Sequence, residues 1–145
     1  LNKDSTDKNI KISTFVDIHN STLNNINTLS EDLEPVISRI RKEKRSFDLL
    51  LSDLSEKETK LSNIKKEFTF CSIPKGYIKN YNSLMSILNL YSSYISSMKT
   101  AIIYEQSCSS YEKNKEAIDK NYNVAFTKYN DLITKLEDVH PLTDN

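Results

Sequence analysis

Apolar residues recur along this chain at alternating spacings of three and four. From Ile12 the series runs through Phe15, His19, Thr22, Ile26, Leu29, Leu33, Val36 and Ile40. It continues through Glu43, Phe47, Leu50, Leu54, Lys57, Leu61, Ile64, Phe68 and Cys71. Fourteen of these eighteen positions are apolar, twice what a bulk apolar content of 37% would place there. A second series begins at Ile87 and Leu90, passes Tyr94, Ala101, Tyr104, Cys108, Tyr111, Ile118, Tyr122, Ala125 and Tyr129, and closes on Leu132, Leu136 and Val139; only Ser97 and Lys115 interrupt it. A 3-4 repeat held this long predicts helices packed along a left-handed seam. Ile40, Phe47, Leu54 and Leu61 are therefore expected to be buried against the second arm.

Between the two series, Pro74 and the only glycine, Gly76, stand two apart. Together they end one helix and reverse the chain, so the arms run antiparallel about a turn at 72–77. The expected fold is all-α: an elongated antiparallel helical bundle of three to four helices, or one long kinked helical hairpin. It forms a single domain over 1–145. Pro35 lacks the amide that a helix interior needs, and Ser30 stands where it could cap a new helix, which predicts a break or kink there. In the second arm, Ser109-Ser110-Tyr111-Glu112 also has capping form. The resulting helices span roughly 9–33, 35–70, 77–107 and 109–139, with polar, frayed ends at 1–8 and 141–145.

The segment after the turn carries a second apolar stripe: Tyr81, Leu84, Leu88, Tyr91, Ile95, Met98 and Ile102. A helix with two stripes touches two neighbours. Either the chain folds back over this face, or the stripe is a binding surface for a protein partner or a second copy.

Charge narrows the function. Twenty basic and twenty acidic side chains cancel, which argues against nucleic acid as a partner. One Gly and three Pro leave no material for phosphate loops or hairpin turns. No apolar run is long enough to cross a bilayer, so no transmembrane segment is expected. The chain opens on Leu1-Asn2-Lys3-Asp4 without an apolar leader, the expectation for a trimmed or processed product. Lys outnumbers Arg seventeen to three, and Asn, Ile and Ser abound while Ala occurs three times. That is the codon signature of an A/T-rich genome. It also means that helix stability must come from packing rather than from alanine.

Candidate chemistry is sparse. His19 falls on the first seam, where a hydrogen-bonded interior imidazole is expected, and His140 closes the last helix. Neither stands in a metal-ligand spacing, so no metal and no cofactor is expected. Cys71 and Cys108 flank a helix about 42 Å long, too far apart for a disulfide. With no nucleophile beside a base, the chain reads as a non-enzyme. Arg39, Arg41, Lys42, Lys44 and Arg45 form a basic cluster, read first as a solvated face, alternatively as a surface for anionic lipid or an acidic partner. The triplet Asn20-Ser21-Thr22 is a glycosylation acceptor only in a secreted protein.

The Lys-, Asn-, Ile- and Tyr-rich, Ala- and Gly-poor helices, with segments such as Leu84-Met85-Ser86-Ile87-Leu88-Asn89-Leu90-Tyr91, resemble secreted helical proteins of malaria parasites. The nearest kinds are reticulocyte-binding-like invasion ligands and the small sporozoite protein needed for cell traversal. The resemblance is one of texture and carries over no individual residue. It implies a secreted or parasite-surface protein acting in host-cell adhesion, invasion or traversal by binding. The competing reading is an intracellular coiled-coil scaffold, or a membrane-associated tethering subunit of BAR-like build. Zero net charge disfavours a membrane-bending module.

Overall fold

The computed structural model describes residues 3–41 and 46–143, with side-chain surroundings over 11–39 and 46–143. Four helices follow one another: α1 (Lys3–Arg41), α2 (Phe47–Thr69), α3 (Ile78–Ser107) and α4 (Tyr111–Glu137). Among the described residues there is no strand. Side-chain pairs fix the directions. Asp32 meets Lys60 at 3.9 Å and Arg39 meets Asp53, so α2 runs back along α1. Glu58 pairs with Lys99 at 3.2 Å, and Ser97 accepts from Lys128 at 2.7 Å, which makes α3 and then α4 reverse in turn. The fold is an up-down-up-down antiparallel bundle.

The first break is not at Pro35. α1 runs through that residue to Arg41, and the chain restarts at Phe47 under the Ser46 cap, whose Oγ accepts from the Leu49 amide at 3.4 Å. Packing explains the difference. Pro35 is exposed, so its ring faces water, while Leu33, Val36 and Ile37 on either side are at most 4% exposed and hold the turn in place. Ser30 accordingly caps nothing; it sits mid-helix and donates to the Ile26 carbonyl at 3.0 Å. The second turn falls where expected, with Gly76 at φ 94°, a conformation that a side chain disfavours. Between α3 and α4, Ser110 is the cap residue without a side-chain bond, and Glu112 in the first turn suits the helix dipole.

Leu54 and Leu61 are buried, Phe47 is only half-buried, and the Ile40 side chain lies outside the described residues. So do Leu1 and Asn2, Glu43 of the first seam, the side chain of Arg41, and Lys42, Lys44 and Arg45 of the basic cluster. Lys57 takes a seam position by burying its stem and turning its ammonium to Glu56 at 3.5 Å. Tyr111 leaves the second seam: it is 44% exposed and donates to Asp119 at 3.0 Å. At the C-terminus, the segment expected to fray is fastened. The Asn20 side-chain amide donates to the Leu142 carbonyl at 2.9 Å and accepts from its N–H at 2.8 Å.

Candidate interaction surface

The second apolar stripe belongs to the core. Leu84, Leu88, Tyr91, Ile95, Met98 and Ile102 are 0% exposed within the single chain, and Tyr81 is half-buried. α1 and α2 cover them. Tyr81 stacks on Phe68 with ring centroids 5.0 Å apart, and the Tyr91 hydroxyl reaches Ser30, whose own proton goes to Ile26. Burial pushes the Tyr91 phenol well above its usual range. The first stripe of α3 faces the other way, with Tyr94 against Tyr129 at 5.1 Å. Both stripes are therefore satisfied by this chain, and the seven residues leave no open apolar face.

Among the described residues, the large apolar side chains left open are Leu49, Ile103, Tyr111 and Val124, which lie elsewhere, and three at the α2–α3 turn. Phe70 is 78% exposed, Ile78 52% and Ile73 37%, three large apolar side chains within one reversal of the chain. The turn is anchored beneath them. Tyr77 packs on Phe15 at 5.5 Å, and the Cys71 and Tyr77 amides donate to Phe68 and Pro74 carbonyls. No acidic residue occurs between Glu67 and Glu105, whereas Lys65, Lys66, Lys75 and Lys79 surround the turn. A chain neutral as a whole is thus locally cationic around this apolar turn. Periodicity could not find this surface, because Phe70, Ile73 and Ile78 belong to no stripe.

Beside the turn lies a cleft of about 660 Å³, bounded by α1, the first turns of α3 and the end of α4. His19 and His140, far apart in sequence, both line it. Burial pulls the His19 imidazole below its ordinary value, against a weaker opposing effect of its contact with Asn20. Asn20 is oriented by its two bonds to Leu142, so its Oδ1 faces His19 Nδ1 at 3.0 Å and accepts from it. This is the hydrogen-bonded interior histidine that the seam position implies. Asn20 also opens the acceptor triplet, and in the fold its amide is engaged and Thr22 is buried.

Cys71, just past the end of α2, and Cys108, the C-cap of α3, are free, half-buried thiols, and burial pushes the Cys71 thiol up. Among the described residues, no group of three His, Cys, Asp or Glu side chains is placed to hold a metal ion. No described helix is long and apolar enough to cross a membrane. Comparison with protein families, characterised proteins and solved structures finds no match to this chain.

Proposed function

We propose that this chain is a non-enzymatic interaction protein that engages its partner through the α2–α3 turn. In the setting that its resemblance to secreted helical malaria-parasite proteins implies, that is host-cell adhesion, invasion or traversal by a secreted parasite protein. One observation carries the reading: Phe70, 78% exposed, heads an apolar turn ringed by lysines, while the helices bury their own stripes. Soluble proteins rarely leave side chains of this size clustered in water without a use for them. Aromatic anchors of this kind dominate binding where they do occur at interfaces.

The test is a cell-surface binding measurement with labelled protein on erythrocytes and nucleated mammalian cells. Wild type should bind saturably. The double variant Phe70→Asp/Ile73→Asp should lose about tenfold in affinity or more, with an unchanged circular dichroism spectrum because both sites are exposed. Equal binding by the two proteins, or none by wild type, would overturn the reading.

A further inference from the structure

The cleft that holds both histidines has walls suited to a ligand of one class. Lys79 and Lys135 approach it from α3 and α4, and among the described residues no carboxylate pairs with either. His19 is 1% exposed, with Nδ1–H committed to Asn20, so Nε2 keeps a lone pair and meets no partner among the described residues. Asn80, Asn82, Ser83 and Ser86 line the α3 side and can both donate and accept. Apart from the imidazoles, no aromatic ring is among the lining residues, so a nucleobase would find no stacking platform. The volume falls within the range of about 300–1,000 Å³ typical of small-molecule sites.

We propose that this cleft binds a phosphate or sulfate ester of a sugar or cyclitol, its anionic group held by Lys79 and Lys135 and its hydroxyls by the amides and hydroxyls of α3. This site adjoins the apolar turn and shares Lys79 with the lysines around it, but it does not use Phe70, Ile73 or Ile78. His19 adds a pH dependence. Neutral, its free nitrogen is an acceptor and repels an oxyanion; protonated, it donates. Lys79 on α3 and Lys135 on α4 oppose that proton, Asp138 at the end of α4 favours it, and His140 lines the same cleft. A bound ester tips the balance, so ligand and proton should bind together.

The experiment follows the imidazole resonances of His19 and His140 in the full chain during titration with glucose 6-sulfate. The charge of this ester is constant over the range used. Glucose 6-phosphate, inorganic phosphate and phosphoinositide vesicles serve as parallel probes. The sulfate ester should bind about tenfold more tightly near pH 5.5 than near 7.5, and its presence should raise the His19 titration midpoint. Lys79→Ala/Lys135→Ala, two exposed sites, should weaken binding about tenfold without altering thermal unfolding. His19→Gln should remove the pH dependence; if that variant unfolds, the lysine pair still decides. Three outcomes would overturn the proposal: no shift of His19 at millimolar ester, undiminished affinity in the double-lysine variant, or binding to vesicles with the soluble esters silent.

Discussion

Between the His19 of the folded chain and that of the unfolded chain lies a proton-binding difference that stability must register. Burial lowers its pKa in the fold, while the unfolded imidazole titrates near 6.5. Between those two values the unfolded state holds the extra proton. Stability should therefore be level above about pH 7.5, fall as pH drops through 6.5, and level off once the folded value is passed. Urea midpoints measured at about pH 7.5 and 5.5 should show that fall in wild type and a smaller one in His19→Gln; identical slopes would refute the assignment. The inward position of His19 was legible, because its place in a 3-4 series says that it faces the core. Its partner was not: Asn20 is fixed by Leu142, and no local pattern links residues at opposite ends of a chain. The tyrosines divide in the same way. Tyr122 and Tyr129 keep their rings on the seam and send hydroxyls to Glu105 and Glu34 at 2.8 and 2.7 Å, as an amphipathic ring on a bundle rim should. Tyr111 shares their spacing but belongs to the first residue of α4, where the seam has run out.

Helix identity was readable from periodicity, helix ends much less so. The first series continues in register from Val36 to Leu50 although the chain reverses between them, because α1 and α2 present their apolar faces to one core. Spacing alone cannot separate a kink from a reversal. Proline was the misleading cue, since an exposed proline flanked by three buried aliphatics is carried by packing. Pro35 still deprives the helix of one amide donor, and alanine is preferred there by up to about 3 kcal/mol in a helix interior. Part of this is offset by the greater freedom that alanine gives the unfolded chain, about 0.4–1 kcal/mol. Pro35→Ala should therefore stabilise the protein by about 1–2 kcal/mol, read as a raised urea midpoint with an unchanged slope. A destabilised variant would mean that a bend at Pro35 is needed for α1 to fit the bundle.

At the scale of the molecule, the two stripes of α3 say that this helix stands between neighbours, and it does. α3 packs on α4 with one face and on α2 and α1 with the other, whereas among the described residues no Cα of α1 comes within 8 Å of one in α4. The sequence announces two neighbours for α3 but not which edges of the bundle stay apart, since that depends on how four cylinders settle around one another. Tyr129 of α4 hydrogen-bonds Glu34 of α1, and the tail beyond α4 is tied to α1 through Leu142 and Asn20. A seam without close backbone approach, and a tail held by two hydrogen bonds, are expected to open locally at far less than the cost of global unfolding. Amide exchange should rank the elements accordingly. The inner amides of α3 should exchange only through global unfolding, and the 138–143 tail should be the first described segment to lose protection. Asn20→Ala removes both tail bonds at once, a loss of about 1 kcal/mol per bond at most for half-exposed partners. The Leu142 amide should then exchange about tenfold faster, while the rates within α3 stay within the small change in global stability. If α3 accelerated in step with Leu142, the tail would be part of the cooperative core, and the seam between α1 and α4 would be closed more firmly than its lack of close backbone approach implies.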